Sequence, residues 1–196
     1  MSDDKVDLGR RRFLTTATTI VGGIGVACVA APFIKSMMPS AKAQALGAPV
    51  EVDLSKLDEG AQLTVSWRGQ PIWIVRRTKK MLEALEHHPL SNLRDPDSDV
   101  PQQPAYAKNW HRSIKPDFLV LVGICTHLGC VPTYRPDIGG IDAEWPGGFY
   151  CPCHGSKYDL SGRVYTGVPA PSNLVVPPHR YEKDQVIIIG VDEGAV

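Results

Sequence analysis

Short apolar runs, each bounded by turn-forming residues, recur along the chain from Val50 onward. Six such runs occupy residues 50–54, 63–67, 72–75, 118–124, 174–176 and 186–189. Their length and their alternating or continuous apolar pattern predict the strands of an antiparallel β domain that begins near Val50. Trp67 and Trp73 fall within two of these runs, so we expect both side chains in the core.

The segments between these runs have other compositions. Residues 79–88 have a helical composition that ends at Pro89, whereas residues 90–110 are proline-rich and polar and predict a surface excursion. Residues 131–150 predict an irregular connection that ends in a short strand at its last two residues. Four histidines have no partner at metal-ligand spacing, and we expect them to be ordinary surface residues: His87, His88, His111 and His179.

The amino-terminal part contains one long stretch without a formal charge, residues 14–34. As a helix it would measure about 31 Å, close to the thickness of a bilayer's hydrocarbon core. It predicts a retained membrane anchor. The alternative is a cleavable signal, with small-residue sites at residues 41–43 and 43–45, but the stretch is long for a signal h-region. Cys28 lies within it as a small apolar residue to which we assign no chemistry.

The segments on either side of the predicted anchor fit membrane attachment. Arg10 and Arg11, followed by Arg12, Phe13 and Leu14, resemble a twin-arginine export signal, within a cytoplasmic tail at residues 1–13. A simpler reading is that the arginines only mark the cytoplasmic flank. Residues 35–49 are rich in small residues and predict a linker, either a flexible hinge or a passive tether. The head domain then comprises residues 50–196.

Charge excludes one class of function. The chain has 21 basic and 21 acidic residues. The excess of positive charge lies before residue 47, and the rest of the chain has a net charge of about −3 with no basic patch. We therefore expect no nucleic-acid partner.

Candidate chemistry is concentrated in two short loops, C-T-H-L-G-C at residues 125–130 and C-P-C-H-G-S-K-Y at residues 151–158. They hold four of the five cysteines and two of the six histidines. Each loop can present one thiolate and one imidazole inward, which indicates a metal or cofactor site. Structural zinc is an alternative, although zinc sites usually pair two cysteines and then two histidines. A scaffold of disulfides alone would leave both histidines without a role.

In residue type and spacing, these loops resemble the Rieske family, whose [2Fe-2S] cluster is held by two cysteines and two histidines. The resemblance implies that Cys125 and Cys151 bind one iron and that His127 and His154 bind the other. It also implies a disulfide between the two remaining cysteines, Cys130 and Cys153, in an oxidising compartment.

The resemblance extends to the surroundings of the cluster, within a cluster-binding part at about residues 123–172. Ser156 and Tyr158 match two hydroxyl residues that donate hydrogen bonds to a bridging sulfide and to the Cys125 sulfur, respectively. Residues 167–171 resemble the proline loop that covers the cluster. Val168 separates the glycine from the first proline and departs from the family's G-P-A-P pattern, so the start of this loop can differ.

Over almost its whole length the chain resembles the Rieske subunits of bacterial ubiquinol:cytochrome c reductases, the cytochrome bc1 complexes. This implies a mostly antiparallel β Rieske-type head with a small cluster-binding subdomain, plus one N-terminal transmembrane helix. It implies a translocase subunit that takes an electron and a proton from ubiquinol beside cytochrome b, where His154 and His127 act, and reduces cytochrome c1. The resemblance further implies a dimeric complex in the bacterial inner membrane with the head in the periplasm.

Two other Rieske functions are possible. The Rieske subunit of a periplasmic molybdenum oxidase, such as arsenite oxidase, is also exported and disulfide-bonded, but the anchor, linker and proline loop favour the quinol enzyme. A soluble ferredoxin-type carrier for a ring-hydroxylating oxygenase needs neither an export signal nor the second pair of cysteines. Cys130, Cys153 and the twin arginines argue against it.

Overall fold

The computed structural model describes residues 7–192, and its internal contacts define two compact units with a boundary between Ala45 and Leu46. The first unit is dominated by the helix α1 (Leu8–Ser36), none of whose side chains is buried. The Asp7 carboxylate caps this helix by accepting hydrogen bonds from the N–H groups of Gly9 and Arg10. The helix is long and apolar enough to cross a membrane.

The helix begins earlier than the apolar stretch that predicted it. Residues 8–13, predicted to belong to the cytoplasmic tail, already form the first turns of this helix, while residues 1–6 of that tail lie outside the described part. The predicted linker is partly helical, because it contains a second helix, α2 (Ala41–Gly47).

The head contains three small sheets whose strands all pair antiparallel. The base sheet has the strand order β1 (Val50–Asp53), β9 (Val186–Ile189), β8 (His179–Lys183). The central sheet is β2 (Gln62–Trp67), β3 (Gln70–Arg76), β4 (Phe118–Val122). The third sheet is β5 (Thr133–Arg135), β6 (Gly148–Tyr150), β7 (Lys157–Tyr158). The predicted mostly antiparallel β class is confirmed.

The central sheet separates two hydrophobic cores. Because side chains alternate across a strand, Ile72 and Ile74 of β3 pack on one face, with Val120 of β4, against the base sheet. On the other face, Trp73 and Leu121 pack against the third sheet and the cysteine loops. All five residues of β4 are buried, which explains why its sequence is continuously apolar. Trp67 and Trp73 lie in the core as expected.

Beyond the sheets, the predicted helix is present as α3 (Lys79–Glu86), whose first turn is capped by Thr78. The excursion contains two short 3-10 helices, Leu90–Asn92 and Ala105–Ala107.

Some predictions about the head are wrong. Residues 174–176 form no strand, because their backbone groups bond to three separate segments: Leu174 N–H to Gly162 O, Val176 N–H to Gln102 O, and Val175 O to the N–H of Val122. The connection at 131–150 is less irregular than expected, since it contains β5. His88 and His179 are buried and are not surface residues. His179 begins the polar edge strand β8 and packs against Tyr106.

Candidate metal centre

The two cysteine loops fold into equivalent turns. In loop 1 (residues 125–130), the N–H of Cys125 donates to Cys130 O at 2.7 Å, and the N–H of Gly129 donates to Cys125 O at 3.1 Å. In loop 2 (residues 151–156), Cys151 and Gly155 repeat this pattern, with distances of 2.8 Å to Ser156 O and 2.9 Å to Cys151 O. The two glycines have φ of 81° and 75°, a left-handed conformation that glycine adopts without strain.

The central sheet fixes where loop 1 begins. Gly123 follows β4 directly, and a Cβ atom there would lie 2.3 Å from the ring of Trp73. Only glycine therefore lets the chain pass this buried indole on its way to Cys125. Loop 2 connects β6 to β7 within the third sheet.

A disulfide between Cys130 and Cys153 joins the two loops. Cys125 and Cys151 remain free thiols and are buried, with exposed fractions of 2% and 1%. Burial raises the pKa of the Cys151 thiol, and the neighbouring Cys125 side chain raises it further. A bound metal reverses this preference, because a coordinating thiol is deprotonated.

The loops also bring two histidines into contact. The ring centroids of His127 and His154 lie 4.7 Å apart, with the ring planes nearly perpendicular at 87°. His154 is exposed, whereas His127 is half-buried. The Nδ1 atom of His127 is buried and has no hydrogen-bond partner among residues 7–192. Such an orphaned nitrogen is costly in a folded protein unless it binds something.

The sulfur atoms of Cys130, Cys151 and Cys153 lie within 4.8 Å of one another. Proximity alone would make these three a metal site, but two of them share the disulfide and offer no thiolate. The available donors are therefore the thiols of Cys125 and Cys151 and the two imidazoles. This set of two sulfurs and two nitrogens, with an unpartnered nitrogen among them, fits an iron–sulfur cluster with mixed ligands.

Two hydroxyl groups line this centre. The Tyr158 hydroxyl lies 3.2 Å from Cys125 Sγ and accepts a hydrogen bond from the N–H of Thr126. Burial, followed by the contact with Cys125, raises the pKa of Tyr158, so this phenol keeps its proton. The buried Ser156 accepts a hydrogen bond at Oγ from the N–H of Ala170, at 3.2 Å. Its own proton has no acceptor among residues 7–192 and is therefore free to be donated.

The lid, defined here as the proline loop at residues 167–171 together with Ser172, packs directly on this centre. Val168 and Ala170 belong to the same hydrophobic core as the two free cysteines. Thr126 Oγ1 donates to Ser172 O at 2.7 Å and so ties loop 1 to the end of the lid. The inserted Val168 thus adds an apolar side chain at the start of the lid.

Two contributions to this centre are not apparent from the sequence. Thr126 lies between two singled-out residues of loop 1 but was assigned no role. The second is the turn at residues 159–163, where the buried Asp159 accepts hydrogen bonds from the backbone N–H groups of Ser161 and Arg163 and from the Arg163 guanidinium. This turn directly follows Tyr158 and fixes the path of the chain. A buried i, i+4 ion pair in a tight turn leaves little signal in one sequence.

Comparison with known proteins agrees with this geometry. A family model described as "Rieske [2Fe-2S] domain" matches residues 102–178. The fold and the paired loops therefore define a Rieske-type iron–sulfur protein, and the predicted cofactor is confirmed. A second family model, described as "Ubiquitinol-cytochrome C reductase Fe-S subunit TAT signal", matches residues 1–40.

Individual relatives identify a narrower family within the Rieske-type iron–sulfur proteins. The "Ubiquinol-cytochrome c reductase iron-sulfur subunit" of Allochromatium vinosum is 55% identical over 100% of this chain and 95% of its own length. The subunits of the same name from Bradyrhizobium diazoefficiens and Blastochloris viridis are 46% and 43% identical, over 92% and 96% of this chain and 94% and 97% of their own lengths. The chain belongs to the family of ubiquinol-cytochrome c reductase iron–sulfur subunits. These relatives give no support to the molybdenum oxidase alternative.

Among solved structures, a chain of "Hyperthermophilic respiratory Complex III" aligns with 88% of this chain and 98% of its own length, at 26% identity and a TM-score of 0.49.

Proposed function

We propose that Cys125 and Cys151 bind one iron of the [2Fe-2S] cluster and that His127 and His154 bind the other. The observation that carries this assignment is the pair of equivalent turns, which place two free buried thiols beside two touching imidazoles. The buried, unpartnered Nδ1 of His127 supports this nitrogen as its ligand atom. The disulfide between Cys130 and Cys153 then holds the loops in register around the cluster.

When bound, a Rieske cluster supplies one-electron redox chemistry at about −150 to +300 mV, because neutral imidazoles replace two thiolates. Each ligand imidazole keeps a second nitrogen, Nε2, that can hold or release a proton next to the metal. His154 is exposed and His127 is half-buried, so we assign the contact with quinol chiefly to His154. A site that accepts an electron and a proton together suits the oxidation of a hydroquinone.

The two hydroxyl residues tune this centre. Tyr158 donates a hydrogen bond to the Cys125 sulfur, a role supported by their separation of 3.2 Å. Ser156 would donate a hydrogen bond to a sulfide of the bound cluster, a role supported by its hydroxyl proton, which has no acceptor among residues 7–192. Both hydrogen bonds stabilise the more negative, reduced state and so raise the midpoint potential.

In the complete enzyme, the subunit takes an electron from ubiquinol at a site formed with cytochrome b and reduces cytochrome c1, and the dimeric complex couples this transfer to proton translocation. Membership of the reductase subunit family supports this role. The specific partner subunits, the dimer and the quinol site are inferred from that family.

The amino-terminal unit attaches the head to the bacterial inner membrane. Arg10 and Arg11 form the twin-arginine signal, which the match of residues 1–40 to a TAT-signal family supports. The helix α1 remains as a single-pass anchor, and the head lies in the periplasm, where its disulfide is stable. Residues 35–49, which contain α2, act as the hinge on which the head moves.

The function is tested by electron paramagnetic resonance of ascorbate-reduced membranes, before and after extraction of the quinone pool. We expect a Rieske signal whose line shape changes on extraction and returns when quinone is added back. A signal that is indifferent to quinone would contradict the assignment and favour an electron relay that does not meet quinol.

A further inference from the structure

We infer that residues 92–103, here called the brace, position the lid over the cluster site, with Arg94 and Gln102 as the positioning side chains. This inference rests on the proposed function, because it concerns the same cluster site. The brace lies in the excursion that sequence analysis placed on the surface. Its role follows from the hydrogen bonds that it makes to residues before, within and after the lid.

The lid has few backbone donors of its own. Pro169 and Pro171 have no N–H groups and make the loop stiff but poorly anchored. Two hydrogen bonds link it to the site, from the N–H of Ala170 to Ser156 Oγ and from Thr126 Oγ1 to Ser172 O. A stiff loop with so few direct bonds moves as a unit, so its position depends on how its ends are held.

The brace holds the start of the lid. The N–H of Arg94 donates to Val164 O at 2.9 Å, and the N–H of Thr166 donates to Asn92 O at 2.8 Å, so a short ladder runs beside the chain that enters the lid. The guanidinium of Arg94 then reaches forward and donates to Val168 O at 3.1 Å. Val168 is the residue that departs from the family's pattern. Arg94 therefore contacts the part of the lid that departs from the G-P-A-P pattern.

The brace also holds the end of the lid. The side-chain amide of Gln102 donates to Ser172 Oγ at 3.3 Å, and Gln102 O accepts from the N–H of Val176 at 2.8 Å. Ser172 is the residue whose carbonyl receives the hydrogen bond from Thr126. The lid's last residue is thus held from loop 1 on one side and from the brace on the other.

A buried amide joins these two attachments. Asn173 is fully buried, and its Nδ2 donates to Asp95 O at 3.0 Å and to Ser98 Oγ at 3.3 Å. Its Oδ1 accepts from the N–H of Val164, at 2.8 Å. One side chain therefore ties together the brace, the chain before the lid and the chain after it. The position of the lid therefore depends on the brace as well as on the cysteine loops.

Ala170 is the residue of the lid that connects the brace to the cluster site. Its N–H orients Ser156, whose proton we assign to the cluster, and its methyl group fills the core beside the two free cysteines. If the brace is weakened, the lid loosens, water reaches the centre more readily, and Ser156 loses its orientation. The side-chain hydrogen bonds of Arg94 and Gln102 go to the lid and to none of the four proposed ligands, so we assign them an effect through the lid.

The test uses the full chain in detergent with its cluster, comparing Arg94→Met, Gln102→Met and the double variant with wild type. Arg135→Met is the matched control, because Arg135 is also exposed and its side chain makes no polar contact with the described residues. We expect a chelator to remove the cluster roughly 2- to 10-fold faster from each single variant, as the loss of one ordinary hydrogen bond would allow. The double variant should lose its cluster faster still. The midpoint potential of the cluster should fall in all three variants.

Two further measurements distinguish a positioning role of Arg94 from a contribution to stability alone. Arg94→Lys should restore most of the wild-type potential, because an ammonium group can also donate to Val168 O. The unfolding temperature of Arg94→Met should match that of Arg135→Met. The inference is overturned if Arg94→Met and Gln102→Met behave as Arg135→Met does, or if faster cluster loss accompanies a lower unfolding temperature with an unchanged potential. Absence of a Rieske signal from wild type would overturn the proposed function itself.

Discussion

The two faces of the central sheet are stabilised in different ways. On the base face, Ile72, Ile74 and Val120 meet the aliphatic side chains of the base sheet, so burial of hydrocarbon alone accounts for the contact. On the cluster face, Trp73 and Leu121 meet a core that includes Cys125, Cys151 and Tyr158. That core is built from irregular loops whose polar atoms need specific partners.

The comparison shows how one sheet serves two purposes. The base face provides a rigid platform that owes nothing to the cofactor, whereas the cluster face depends on a disulfide, on a few hydrogen bonds and on the bound cluster. Mutations on the base face should therefore change stability alone, whereas mutations on the cluster face should also change the redox properties.

The largest effect is expected from removing the disulfide. Replacing both Cys130 and Cys153 by serine opens a loop with a sequence separation of 23 residues, which the chain-entropy estimate values at roughly 3–4 kcal/mol. We expect the free energy of unfolding to fall by about this amount and the Rieske signal to be lost. Urea unfolding and paramagnetic resonance measure the two effects.

The free cysteine in α1 provides a control for the disulfide variant. Cys28→Ser should leave both measurements unchanged, since Cys28 is exposed and unpaired. Equal behaviour of the Cys28 variant and the disulfide variant would show that the disulfide does not maintain the cluster face.

A matched pair of core truncations compares the faces directly. Ile74→Ala on the base face and Leu121→Ala on the cluster face should each lower the free energy of unfolding by about 2–5 kcal/mol, as buried truncations do. Only Leu121→Ala should also alter the potential, because Leu121 packs in the core that contains the free cysteines. A shift of the midpoint potential of equal size in both variants would contradict the separation of the two faces.

Removal of either hydroxyl should change the potential with little effect on folding. If Tyr158→Phe or Ser156→Ala each loses about 1 kcal/mol of preference for the reduced state, the potential falls by roughly 40 mV for a one-electron couple. A redox titration followed by paramagnetic resonance measures this shift. Unchanged potentials in both variants would refute the assigned hydrogen bonds.

The smallest effect concerns pH and lies away from the cluster. Burial lowers the pKa of His88 from its ordinary value of 6.5, so the unfolded chain binds more protons as the pH falls below that value. The head should therefore lose stability between pH 7 and the lower, folded pKa, and His88→Gln should lose less. Urea unfolding of wild type and His88→Gln at several pH values measures this difference in stability. Identical pH profiles of the two proteins would contradict the prediction.

Much of this arrangement is visible in the sequence, because local patterns encode it. The continuous apolar run that became β4 predicts a strand, and the repeated pairing of cysteine with histidine predicts the metal centre. In the same way, the uncharged stretch at residues 14–34 predicts the long apolar helix. Each of these signals depends on neighbours within a few residues.

The rest depends on contacts between distant segments, which one sequence does not reveal. Residues 174–176 look like a strand, but their backbone groups bond to three different segments. His179 has polar neighbours in sequence, yet the fold buries it. The bonds from Arg94 to Val168 and from Asn173 to Asp95 span more than 70 residues each, and no local pattern predicts them.

The proposed ligand set of two histidines and two cysteines can be checked by electron–nuclear double resonance on the ascorbate-reduced full chain labelled with 15N-histidine. We expect two strongly coupled histidine nitrogens, and both couplings should disappear when a chelator removes the cluster. Coupling to no histidine nitrogen, or to only one, would contradict the proposed ligands.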